Sequence, residues 1–320
     1  MIDFRYHVVS IIAIFMALAV GIVLGSGPLK GPIDNTLQQQ LEQLRTDRND
    51  LRTQLAQSKG RLDYDDAVVA QVAPQVLAGR LAERRVALVL LPAADGDLAD
   101  ATATAVRQAG ATVTSTVTVT DAWLDPAQQG ALGRLVDQSA PTGTTYRDGA
   151  GVQERAAAAL ARALVVPDPA LAPAEDASGQ AFLEALAAAG FLKVDGSPVG
   201  RATLAVVEAG PAPQVPTDGT KAQVTDLVGL ATALDAADQG TVVAGPVESA
   251  GAGGVVAAVR SGDAAKRLST VDALGTAAGR MSVPLALAAE AQGTSAAYGF
   301  GEGAARPLPS PLPSLTPAAR

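Results

Sequence analysis

Hydrophobic and polar positions follow four successive rhythms along the chain, and each predicts a different element. From Val8 to Gly25 the sequence VVSIIAIFMALAVGIVLG carries no charge. With Phe4 and Tyr6 at its edge, this run approaches the roughly 20 residues that cross a bilayer core. Ser10 is its only strongly polar side chain. The run is longer than the roughly 7 to 15 apolar residues of a cleaved signal peptide, and Gly25-Ser26-Gly27 makes a poor cleavage site, so the segment reads as an uncleaved signal anchor. A short N-terminus carrying Arg5 is easily left in the cytosol, which places a single span in the plasma membrane and most of the chain outside it. His7 sits at the membrane edge as an interfacial residue.

After Gly27-Pro28 and Gly31-Pro32 the rhythm becomes heptad-like. Leu37, Leu41, Leu44, Arg48, Leu51, Leu55, Ser58 and Leu62 follow alternating steps of four and three, with Gln, Glu, Asp, Arg and Thr between them. A period of 3.5 keeps one seam facing a partner helix in a left-handed supercoil, so residues 31–66 predict a coiled coil. Its seam would consist of Leu37, Leu41, Leu44, Leu51, Leu55 and Leu62. Arg48 and Ser58 weaken a homodimer, because a seam Arg must snorkel out or find a carboxylate on the other chain. They can instead select the partner. The plainer alternative is a stalk, or a helix packed on its own globular domain.

The third rhythm alternates strands with helices over residues 67–300. Arg85 to Leu91 (RVALVLL) is a near-continuous apolar run closed by Pro92, the signature of a strand covered on both faces. Good helix formers from Leu98 to Gln108 end at Gly110, and Thr112 to Val119 (TVTSTVTV) alternates as a half-buried strand does. Further helices are predicted around Gln153 to Leu164, Gly179 to Ala189 and Leu274 to Ala291. Strands are predicted near Ala202 to Val207, Thr241 to Ala244 and Val255 to Val259. The fold class is therefore α/β: a single transmembrane helix and a coiled coil, then an extracytoplasmic domain with a mostly parallel sheet. Residues 301–320, with Pro307, Pro309, Pro311, Pro313 and Pro317, predict an extended or disordered tail.

Composition narrows the chemistry. The chain has no cysteine and one histidine, which removes disulfides, thiolate metal sites and paired-histidine motifs. A net charge of −8 without a basic run argues against nucleic acid, whose binding needs several phosphates neutralised. Asp95, Asp97 and Asp100 follow the first strand and could hold a divalent cation, but the commoner role is to cap the next helix and favour its positive end. Gly251-Ala252-Gly253-Gly254 reads as a plain turn, because the apolar run behind it looks like a strand and not like a phosphate-binding helix. Ser269-Thr270-Val271-Asp272 can cap the last helix or lie beside a pocket, and the local pattern favours the cap. No P-loop occurs, and His7 cannot serve a Ser-His-Asp arrangement from the membrane edge. The expectation is a protein that is not an enzyme and has no catalytic, cofactor or metal site.

Both ends of the chain resemble one family. Met1-Ile2-Asp3-Phe4-Arg5-Tyr6-His7-Val8-Val9-Ser10, followed by Ala17-Leu18-Ala19-Val20-Gly21-Ile22-Val23-Leu24-Gly25, resembles the start of the actinobacterial MctB-like copper transporter family. Ser269-Thr270-Val271-Asp272, Gly279-Arg280, Leu285-Ala286-Leu287-Ala288, Gly293 and Tyr298-Gly299 resemble its C-terminal motif region. The resemblance implies copper homeostasis by export through an outer-membrane channel. Its SteB-like members imply instead a part in envelope division with a cytosolic SteA-like partner. Copper as a ligand is implied by this resemblance alone. The residues themselves offer His7 and the scattered Met1, Met16 and Met281, whereas copper(I) prefers clustered soft sulfur ligands.

Two mechanisms follow. In the first, the coil recruits or regulates an envelope or division partner, or another copy of the chain, while the α/β domain offers a second docking surface. In the second, several copies assemble a pore through residues 8–25, with Gly21 and Gly25 as a small-xxx-small pair. A purely structural tether is the third.

Overall fold

The computed structural model describes residues 4–26, 31–172, 174, 176–195 and 200–313. The chain divides into two compact units, Met1–Asp65 and Asp66–Arg320.

The first unit holds α1 (Phe4–Ser26) and most of α2 (Gly31–Leu77). Over Phe4–Gly25 the mean hydropathy reaches 2.8 and no part of the helix is buried. At 1.5 Å per residue those 22 residues extend about 33 Å, enough for a hydrocarbon core of about 30 Å. The 47 residues of α2 form one continuous helix, and every described side chain from position 39 to position 65 is exposed.

The second unit is a doubly wound sheet. Its first strands, β1 (Arg85–Leu90) and β2 (Thr112–Val119), flank α3 (Gly96–Gln108), which makes the expected βαβ unit. The helices α4 (Gln129–Ser139), α5 (Val152–Leu164) and α6 (Ala177–Ala188) then lead to the short strand β3 (Leu192–Asp195). Next come β4 (Leu204–Glu208), α7 (Asp218–Ala237), β5 (Thr241–Ala244) and α8 (Val255–Ser261). The last elements are β6 (Ser269–Val271), α9 (Ala277–Glu290) and β7 (Ala297–Tyr298). The sheet order is β3-β2-β1-β4-β5-β6-β7, and every pairing is parallel except β2 with β3.

Strand alternation sorts the core into two layers. Val86, Leu88 and Leu90 of β1, with Leu204 and Val206 of β4, pack toward α3 and α9. Ala87, Val89, Ala205 and Val207 face the opposite cluster, where Leu160, Phe182, Leu230 and Val256 come from α5, α6, α7 and α8. Both faces of the sheet are thus covered, which explains why β1 and β4 read as unbroken apolar runs.

Two sequence expectations need correction. Val255 to Val259 forms the start of α8 and not a strand: Gly254 is its N-cap, and Val255, Val256 and Val259 bury one helical face. Five apolar residues are too few for periodicity to separate a strand from a buried helix, and tertiary packing decides. Ser269 to Val271 forms β6 instead of capping the last helix; Thr276 is that cap, its hydroxyl accepting from Gly279 N–H. The helix accordingly begins at Ala277 and not at Leu274. Asp66 Oδ1 accepts from Ala277 N–H at the same helix end, tying the last turns of α2 to α9 within the second unit. In the described part of the proline-rich segment Pro309 and Pro313 are buried, and Arg80 donates to the Pro313 carbonyl. The expected disorder of positions 314–320 concerns residues outside those described.

Candidate interaction surface

On α2 the leucines of the predicted seam lie open. Leu41 is 47% exposed, Leu44 64%, Leu51 65%, Leu55 70% and Leu62 68%. Leu37 lies on the same helix, but its side chain is outside those described. Isolated exposed leucines are ordinary on a protein surface, whereas a stripe at 3.5-residue spacing is not. The helix holds its shape without tertiary cover through good formers such as Leu, Gln, Glu and Arg. The hydroxyls of Thr46 and Thr53 turn back onto the carbonyls of Glu42 and Asn49.

The carboxyl edge of the sheet is where open α/β folds place ligands, above all where strand order reverses between β1 and β4. Here the loops after β1 and β4 touch at one point and border a small cavity. A Cβ on Gly210, just after β4, would lie 2.4 Å from the Ala93 carbonyl oxygen after β1, so the two loops touch backbone to backbone. Beside them an apolar cavity of about 280 Å³ is lined by Leu91, Pro92, Leu124, Pro211 and Leu227, with Asp121 as its charged group. The three aspartates after β1 do not converge. Asp95 is the N-cap of α3, accepting from Asp97 N–H, which is the capping role and not a cation cage. Among the described residues no three His, Cys, Asp or Glu side chains gather as metal ligands.

Two buried acids stand at this edge: Asp272, expected from the sequence to cap the last helix or lie beside a pocket, and Glu208, which the sequence reading missed. Asp272, fully buried just after β6, pairs with Arg260 of α8 at 2.7 Å and accepts from the N–H groups of Phe300 and Gly301. Arg260 also donates to Thr270 Oγ1 and to the carbonyls of Tyr298 and Glu302. Every strong group there is satisfied, so the cluster is a clamp that fixes β7 and the loop beyond it. Glu208 ends β4, 1% exposed, with Oε1 unpartnered among the described residues. Burial pushes its carboxyl up to about 7, the Thr102 hydroxyl works against the shift, and Asp95 and Asp100 add to it.

Fold and surface together define a class: an α/β domain carried on a long helix with an open apolar seam, preceded by an apolar helix of membrane-spanning length. A family model described as "Copper transport outer membrane protein, MctB" matches residues 1–309. The chain is 32% identical over 310 residues to the copper transporter MctB of Mycobacterium bovis (strain ATCC BAA-935 / AF2122/97), covering 95% of this chain and 98% of that protein. The copper transporter MctB of Mycobacterium tuberculosis (strain CDC 1551 / Oshkosh) matches to the same extent. That of Mycobacterium leprae (strain TN) is 30% identical over 324 residues, again with 95% and 98% covered. The chain belongs to the MctB family.

Proposed function

We propose that this protein is a membrane-anchored, non-enzymatic member of the cell envelope that serves copper homeostasis as an adaptor. α1 holds it in the plasma membrane, with the α/β domain outside the cytosol. α2 recruits or regulates an envelope or division partner. The observation that carries this reading is the exposed seam from Leu41 to Leu62, which a stable soluble helix would not leave open in water. Copper is treated as cargo of the system, because His7 and Met16 stand nine residues apart on α1, on opposite helix faces, Met281 lies on α9, and the name of the relatives concerns transport and not a resident metal. A SteA-like cytosolic partner is a further candidate by family resemblance.

The test compares full-length protein with the Leu44→Glu, Leu51→Glu variant, both purified from native envelopes, with co-purifying proteins identified by mass spectrometry. Charges at two seam positions should remove a specific partner while leaving the α/β domain folded, since both residues belong to the first compact unit and the domain has its own two-layered core. Unchanged partner capture would refute the adaptor reading.

A second reading has one observation in its favour. Gly21 and Gly25 leave open space on one face of α1, as a helix needs for close packing with copies of itself. An assembly of such helices would form a channel taking part in copper efflux. Detergent-solubilised protein that never exceeds a dimer would contradict it.

A further inference from the structure

The charges beside the seam distinguish among its partners. With Leu41, Leu55 and Leu62 at a and Leu44 and Leu51 at d, the flanking e positions are Arg45, Arg52 and Lys59, and the g positions are Gln40, Asp47, Gln54 and Arg61. In a parallel, in-register pair each g residue faces the e residue five positions on in the other helix. Asp47 then meets Arg52 of the second copy, Gln40 meets Arg45 and Gln54 meets Lys59: one attraction, made twice by symmetry, and no repulsion. Arg48 occupies the next a position, and its neighbour Asp47 stands at the g position of the opposite helix, within reach of that guanidinium. The feature that counts against a homodimer in the seam alone, an Arg at a, therefore carries its own neutralising carboxylate.

The antiparallel pairing that overlaps the whole seam gives the reverse result. It places Arg45 against Arg52 of the second copy in both halves and offers no opposite-charge pair in exchange. Ser58 and Asp65, at the last d positions, weaken the seam toward its C-terminal end. Asp66 is already engaged at the α9 N-terminus. The apolar contact therefore runs from Leu37 to Leu62, about 39 Å at 1.5 Å per residue.

We infer that the seam of α2 is closed by a second copy of this chain, parallel and in register. This deepens the adaptor reading and rests on its view of α2 as a coil-forming surface: the unit presented to an envelope partner is a two-stranded coil. Two chains anchored through α1 in one membrane also enter the coil from the same side, which parallel strands require.

The absence of native cysteine makes the test direct. Full-length Leu41→Cys and Leu62→Cys variants, each alone in membranes, are oxidised and run on non-reducing gels, with Thr53→Cys on the outer face of the helix as control. Same-residue cysteines at a positions come within disulfide reach only in the parallel, in-register pair. Covalent dimers from both seam variants and loss of the adduct in the control are expected. Asp47→Arg in the Leu41→Cys background should weaken the adduct, and adding Arg52→Asp should restore it. A Leu41→Cys adduct that forms only with Ser58→Cys, or adducts only to a different protein, would overturn the inference. Capture of an envelope partner without a self-adduct sinks the dimer alone. A self-adduct without partner loss in the Leu44→Glu, Leu51→Glu protein sinks the adaptor alone.

Discussion

Replacing Asp272 by alanine is expected to destabilise the α/β domain by about 3 to 5 kcal/mol, the cost of leaving one member of a buried ion pair unpaired. The carboxylate is fully buried, and the Arg260 side chain facing it is 6% exposed. Removing the carboxylate strands the guanidinium and also orphans the N–H groups of Phe300 and Gly301. The backbone there is built around the acid. A Cβ on Gly299, whose φ is +124°, would fall 2.0 Å from Asp272 Oδ1. β7 and the loop after it should therefore loosen first. The single tryptophan, Trp123, is buried in the opposite core layer and reports global unfolding in urea. Limited proteolysis near Phe300 reports local release. An Asp272→Ala protein as stable as the parent, with this segment still protected, would show that the clamp contributes little. The pair Arg260→Met with Asp272→Leu should recover the part of the loss that comes from the stranded charge, while the N–H groups of Phe300 and Gly301 stay unpaired.

The second large effect is on pH dependence. In the folded chain Glu208 keeps its proton to about pH 7, whereas the same carboxyl in an unfolded chain releases it near 4.5. Below pH 4.5 both states are protonated and burial carries no ionisation cost. Between 4.5 and 7 the folded state binds more protons than the unfolded one, so stability falls as pH rises and levels off above 7. At 1.36 kcal/mol per unit, that window corresponds to at most about 3 kcal/mol. Glu290, also pushed up to about 7 by burial, with Ser269 and Ser295 opposing and Asp235 adding, acts in the same direction. Urea midpoints followed by Trp123 should therefore decline from pH 5 to pH 8. Glu208→Gln should match the parent at pH 5 and exceed it at pH 8. Equal pH slopes in the two proteins would show that Glu208 is not protonated in the folded state.

How much of this was visible in the sequence varied with the range of the interaction. β2 was legible to the residue through its alternation, and β5 to the residue and β1 and β4 nearly so, because a doubly covered strand writes its burial into adjacent positions. The cap by Asp95 was likewise local. α7 drew no prediction: Gly219, Gly229 and several threonines dilute its helical signal, although Thr217 and Thr220 form a capping box at its start. β3 is four residues long at an edge, below what a pattern resolves. The Arg260 to Asp272 clamp depends on α8 folding back along β6, so neither residue could announce its partner. The seam was the opposite case. Its spacing was legible from the leucines alone, while its exposure, and hence its availability, required the fold.

The central claim is that this member of the MctB family works through the seam of α2. Its most direct test is copper accumulation in cells lacking the gene and complemented with the parent, the Leu44→Glu, Leu51→Glu variant, or a variant with Met16 and Met281 both changed to leucine. The account predicts that the seam variant leaves copper levels as in the uncomplemented cells, although it is made in normal amount with an unchanged Trp123 unfolding midpoint, and that the methionine variant restores them. Full restoration by the seam variant would contradict the account.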